Sequence, residues 1–160
     1  MKKYEIEETL AFTGHRLIST SKVDKVKEEL RTHIKALYLK GIRTYLSGMA
    51  LGFDMLAAEV ILSMKKELPS LKLIAVVPFR EQCRRWNYRD QARYNAILEA
   101  ADETILLSDG YFDKCYLKRN DFMIAHSCGL IAYYDGSYKG GTFYTFRKAK
   151  MEGLNIINLF

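Results

Sequence analysis

One stretch, LKLIAVVPF (71–79), constrains the fold more than any other. Apart from Lys72 it is a continuous apolar run, so a strand built from it presents no face to water and needs helices packed on both sides. That is the condition of an internal strand in a parallel sheet. Shorter apolar runs recur as further strands, at ETLAFTG (8–14), RTYLSG (43–48), DETILLS (102–108), GLIAYYD (129–135) and LNIINLF (154–160). Between them lie helical patterns. Ser21 and Asp24 have the spacing of a capping box, Val23, Val26, Leu30, Ile34 and Leu37 then recur at three and four residues, and Gly41 is placed to end that helix after about Lys40. Residues 53–67 predict a helix apolar enough to be mostly buried, 81–100 an Arg-rich helix, and 114–127 and 141–152 two more. The alternation predicts an α/β fold, a doubly wound, mainly parallel sheet with helices on both faces and right-handed crossovers.

A chain of 160 residues has the size of one domain, and no linker-like shift, repeat or low-complexity tract divides it, so residues 1–160 are expected to form a single domain around one core. The net charge of +6, from 25 Lys+Arg against 19 Asp+Glu, is compatible with an anionic partner, phosphate first among them. Cys83, Cys115 and Cys128 are odd in number and lack the spacing of a disulfide framework or a zinc site, so reduced thiols and no metal are expected. Acidic residues in MKKYEIEETLAF stand where a signal peptide needs an apolar core, and no apolar run reaches membrane-spanning length. A cytoplasmic protein without a membrane partner is the expectation. Eleven tyrosines leave a homo-oligomer open, since such residues equally cap the rim of a core.

Ligands of a doubly wound sheet sit at the carboxyl ends of its strands. Four loops there have distinctive chemistry: FTGHR (12–16), SGMALGFD (47–54), PFREQ (78–82) and YDGSYKGGT (134–142). In the last, Gly140 and Gly141 let the backbone approach an anion, the helix start offers N–H groups and a positive dipole end, Thr142 adds a hydroxyl and Lys139 a charge. The alternative is an ordinary turn before a helix. In the second, Gly48 and Gly52 interrupt a strand-to-helix passage with residues that disfavour both elements, which suggests that something needs close access to the main chain. Asp54 there either stabilises the helix dipole or reaches a sugar hydroxyl. Of His15 and Arg16 beside Gly14, Arg16 is the better suited to bidentate phosphate contact. His33 and His126 are expected to be structural, and no nucleophile–base–orienter triad can be assembled. Arg80, Arg84, Arg85, Arg89 and Arg93 surround Trp86, Tyr88 and Tyr94, with Arg85, Arg89 and Arg93 expected on one helical face; this stretch reads either as a solvated basic face with an aromatic tucked into the core or as an aromatic wall for a base or a nucleic acid.

Taken in order, TGHR, SGMALGFD, VVPF with its Arg/Trp segment, and GGT resemble the YpsA-like branch of the SLOG superfamily over nearly the whole chain. LSGMALGFDMLAAEVI is also similar to the S-G-x-A-x-G-x-D signature of the DprA DNA-processing proteins, and RNDFM with YKGGTF resembles the R-x-x-x-M and P-G-G-x-G-T pattern of LOG phosphoribohydrolases. The resemblance implies a Rossmann-like fold with a nucleotide-type ligand at Gly14, Arg16, Ser47, Gly48, Gly52, Asp54, Gly140, Gly141 and Thr142, and brings no established reaction. LOG enzymes have a Glu soon after their G-T, where this chain reads FYTF, and the proline before the glycines is replaced by Tyr138 and Lys139. N-glycosidic cleavage draws on a carboxylate near the reacting centre, which puts that reaction in doubt.

Three functions follow from these residues. The first is binding of a nucleotide or ADP-ribose-like ligand for sensing or signalling. A second is hydrolysis of such a ligand, with Asp54, Glu81 or Glu59 in place of the missing carboxylate and Arg119, which fits the LOG arginine, holding the substrate. Single-stranded nucleic-acid binding through the Arg-rich segment is the third.

Overall fold

The structure is a computed structural model and describes residues 5–160. Six strands, β1 (Thr9–Gly14), β2 (Thr44–Ser47), β3 (Lys72–Val77), β4 (Glu103–Leu106), β5 (Gly129–Tyr133) and β6 (Asn155–Asn158), form one sheet in the order β4-β3-β2-β1-β5-β6. Every pairing is parallel. The helices are α1 (Val23–Leu39), α2 (Phe53–Met64), α3 (Tyr88–Ala100), α4 (Cys115–Ala125) and α5 (Gly141–Met151).

Strand periodicity divides the core in two. Leu10 and Phe12 of β1 face the layer of α1, α2 and α3, with Leu30, Phe53 and Ile97, while Ala11 between them faces α4 and α5, with Met123 and Ala149. β3 is buried from Leu73 to Val77, as its unbroken apolar run requires. The chain lays down β1 to β4 in one direction, then returns to place β5 on the other side of β1. The strand order therefore reverses between β1 and β5, and a crevice opens outside their carboxyl ends.

Three local expectations are corrected. The Arg-rich helix begins at Tyr88 rather than near residue 81, because the Asn87 side chain accepts the Asp90 N–H at 2.8 Å and caps the helix there. Arg80, Arg84, Arg85 and Trp86 thus belong to the turns before it, and Arg85 does not share a helical face with Arg89 and Arg93. Ser21 forms no capping box; it sits in a 3₁₀ turn, 3.1 Å from the Ser19 hydroxyl, and α1 starts without a side-chain cap. α2 ends at Met64, short of residue 67. Among the described residues no helix is long and apolar enough to cross a membrane.

Candidate functional site

The crevice between β1 and β5 has a volume of about 410 Å³. It is lined by the β1–α1 loop (Thr13 to Arg16), by Ala50 and Asp54 at the start of α2, by Tyr116, Leu117, Arg119 and Asn120 of α4, and by Lys139 to Thr142 at the start of α5. Four chain segments that are distant in sequence meet there because all four leave the sheet at the same edge.

The turn after β2 is packed from within. A Cβ on Gly48 would lie 2.6 Å from the Arg119 guanidinium carbon, and one on Gly52, whose φ is +85°, would overlap the Arg16 carbonyl. The close access that these glycines provide is therefore taken by the protein's own Arg119 and β1–α1 loop. Ser47 fixes the turn: its hydroxyl accepts the Met49 N–H at 3.2 Å and donates to the Asp54 carbonyl at 3.0 Å, holding Met49 at φ +63°. The Phe53 N–H at the head of α2 is engaged by the His15 carbonyl at 3.1 Å. Ser47, Gly48 and Gly52 consequently shape the crevice from behind and do not line it.

Arg119 and Asp54 form the buried floor. Arg119 is 4% exposed; its Nη1 donates to the Gly48 carbonyl and its Nε to Asn120 Oδ1 at 2.8 Å. Burial lowers its pKa, and the nearby Asp54 charge opposes that shift. Asp54 is 5% exposed; Oδ2 accepts the Ala50 N–H at 3.3 Å, whereas Oδ1 is buried without a partner among the described residues. Desolvation pushes its carboxyl up to about 6, against the pull of Arg119, the Ala50 N–H and Arg16. No direct ion pair joins the two residues. A buried carboxylate oxygen without a donor is costly in a folded protein, which agrees with the raised pKa of this group.

The turn after β5 is open. A Cβ on Gly140, at φ +97°, would meet nothing within 4 Å, and one on Gly141 only Asn120 Nδ2 at 3.8 Å. The first helical bond of α5 runs from the Tyr144 N–H to the Gly140 carbonyl, so among the described residues the N–H groups of Gly141, Thr142 and Phe143 lack acceptors. No acidic residue lies in that first turn. Arg16 and Lys139 flank it, both exposed and without an ion pair among the described residues. Asp121 accepts from Tyr144 Oη at 2.9 Å and Lys148 Nζ at 3.0 Å, which ties α5 to α4 and keeps its head beside Asn120.

His15 ties the switch point together. Its Nε2 lies 2.9 Å from the Asp135 N–H and 3.0 Å from Asp135 Oδ1, and the main-chain N–H of His15 donates to the Tyr133 carbonyl at 3.2 Å. It lines the crevice while bridging β1 to β5.

Glu81 and Trp86 lie elsewhere, at a second cavity beside the crevice, and Arg80 lines neither. Arg80 pairs with Asp109 at 2.8 Å and Arg84 with Glu81 at 3.2 Å. Arg93 forms a two-pronged pair with Glu59, at 2.8 and 2.7 Å. Three of the five arginines are thereby paired, and Trp86 is half-buried against Tyr94. Of the three carboxylates considered for chemistry, Asp54 alone lines the crevice. Tyr116 and Asn120 were not anticipated. Arg119 was singled out by resemblance, and its neighbours one and three positions away, Asn120 and Tyr116, carry no sequence signal of their own.

The strand order and the crevice at its reversal define a Rossmann-like α/β protein with a candidate ligand site at the carboxyl edge of the sheet. More narrowly, the chain belongs to the YpsA family: the model described as "YspA SLOG family" matches residues 11–155. It is similar to a UPF0398 protein of Bacillus licheniformis, 32% identical over 78% of this chain and 69% of that protein. It is also similar to the SPbeta prophage-derived protein YoqJ of Bacillus subtilis, 34% identical over 72% of this chain and 75% of that protein. Among solved structures, the X-ray structure of TM1055 matches with a TM-score of 0.56 over 93% of this chain and 72% of that one, at 13% identity. That likeness speaks for the fold alone.

Proposed function

We propose that the crevice binds a phosphate-bearing, nucleotide-derived ligand, a mononucleotide or an ADP-ribose-like molecule, and that the protein uses it for sensing or signalling in the cytoplasm. The observation that carries this reading is the unobstructed head of α5: among the described residues, three N–H groups without acceptors, no acid in the first turn, and two cations without an ion pair beside it. The orphaned Asp54 Oδ1 on the same crevice suits a sugar hydroxyl, which would donate to it. Gly140, Gly141 and Thr142 would contact phosphate, and Arg16 and Lys139 neutralise it. The three unpaired cysteines fit a reducing compartment.

A thermal-shift panel of AMP, ADP-ribose and inorganic phosphate tests the reading. At 100 times its dissociation constant a ligand adds about 2.7 kcal/mol, a rise in Tm of roughly 5–10 °C for a domain of this size. The double substitution Arg16→Ala with Lys139→Ala should abolish the rise. No response to any phosphate compound would overturn it.

Hydrolysis is a second reading, favoured by one observation: Asp54 has a carboxyl pushed up to about 6, within reach of general acid–base work near neutrality. Release of free base or phosphate by the wild type and not by Asp54→Asn would establish it; binding without product would leave recognition alone.

A further inference from the structure

The second cavity, on the β3 side of the crevice, takes no part in the reading above. It encloses about 720 Å³, and four aromatic rings stand in its walls: Phe79, Trp86, Tyr111 and Tyr116. Phe79 meets Tyr111 edge to face at 5.5 Å and Tyr116 at 5.9 Å, and Tyr94 braces Trp86 perpendicularly at 5.3 Å. Several of its polar groups are already engaged. Gln82 donates to the Gly48 carbonyl at 3.2 Å and accepts from Tyr94 Oη at 3.2 Å, while Glu81 and Asp109 pair with Arg84 and Arg80. A cavity walled by four rings presents flat apolar faces on which a planar group can stack, and Arg85, which also lines it, has no ion pair among the described residues.

Two features join this cavity to the crevice. The Tyr116 ring, in the first turn of α4, lines both. The Gly48 carbonyl accepts from Arg119 on the crevice side and from Gln82 on the other, so one buried main-chain atom fixes their relative position. From this continuity we infer that the second cavity receives the planar heterocyclic base of the ligand whose phosphate docks at the head of α5. The ligand runs from α5 past Tyr116 to Trp86, and stacking holds its flat ring. The inference rests on the phosphate reading for one end of the ligand and adds the other.

Trp86 is the chain's single tryptophan, so its emission reports on this cavity. AMP and ribose 5-phosphate, which differ by the base, are the probes. AMP should quench Trp86 saturably and bind about tenfold or more tightly than ribose 5-phosphate, which should raise Tm without quenching. Tyr111→Ala, at an exposed side chain, should erase the advantage of AMP and leave ribose 5-phosphate unchanged. Equal affinity for the two probes, or AMP binding with Trp86 emission unaltered, would overturn the inference while the phosphate reading stands. Quenching by adenosine equal to that by AMP, and indifferent to Arg16→Ala with Lys139→Ala, would instead remove the phosphate reading and with it the continuous ligand. Absence of quenching by both AMP and adenosine overturns the base site outright.

Discussion

The turns after β2 and β5 both set glycines and a small hydroxyl residue beside a helix start, yet their surroundings are opposite. Around Gly48 and Gly52 the space that a side chain would fill is occupied by the Arg119 guanidinium and the main chain of Arg16. The head of α2 is closed by the His15 carbonyl and carries a carboxylate, Asp54. Around Gly140 and Gly141 there is open space, and among the described residues the head of α5 has N–H groups without acceptors and no acid in its first turn. Glycine permits close approach in both turns; in the first the protein itself approaches, and in the second room is left for a guest. The first turn is a foundation and the second a docking face.

Substitutions separate the two roles. Gly52→Ala should do the most damage, about 4 kcal/mol in urea unfolding, since the new Cβ meets backbone and φ is positive. A loss under about 1 kcal/mol would show that the turn relaxes easily. Gly48→Ala should follow at about 3 kcal/mol, because the obstructing atom belongs to a buried side chain that is itself hydrogen-bonded to Gly48.

Asp54→Asn should act in the other direction. The native carboxyl titrates at about 6 instead of 3.8, so between those values the folded state holds a proton that the unfolded chain has lost. Its stabilising contribution is complete below about pH 4 and disappears as the pH climbs through 6. At pH 8 the Asn variant should therefore be more stable than wild type by about 2 kcal/mol, with the gap closing as the pH falls towards 4. Parallel denaturation curves at pH 4 and 8 would show it; a gap independent of pH would mean that Asp54 ionises normally.

Gly141→Ala should have the smallest effect on stability, a gain of about 0.5 kcal/mol, since the site is helical and open. Its consequence should be functional. A methyl beside the N–H groups of α5 should weaken AMP binding about tenfold by calorimetry. Unchanged affinity would take the anion away from this turn.

The fold was legible where periodicity carried it. The buried run at 71–79 became β3, the three-and-four spacing from Val23 to Leu37 became α1, and Gly41, at φ +100°, follows its end. The start of α3 was readable too, in the Asn87–Asp90 spacing, but the arginines before it drew the expected helix forward. Of the candidate site, Gly14, His15, Arg16, Asp54, Lys139, Gly140, Gly141 and Thr142 come together at the crevice, whereas Ser47, Gly48 and Gly52 lie behind it, Trp86 lies beside it and Arg80 lines neither cavity. Tyr116 and Asn120 escaped because nothing local marks which face of α4 turns towards the strand ends.

By itself the sequence determined the alternation of strands and helices, the burial of both sheet faces and the places where the backbone needs glycine, because these depend on residues within a turn or two of one another. Tertiary structure alone decided that β5 lies against β1, that Arg119 fills the hollow at Gly48, and that Asp54 loses its water. Those outcomes depend on which segments become neighbours across the sheet, and a parallel strand has the same local pattern whichever neighbour it takes.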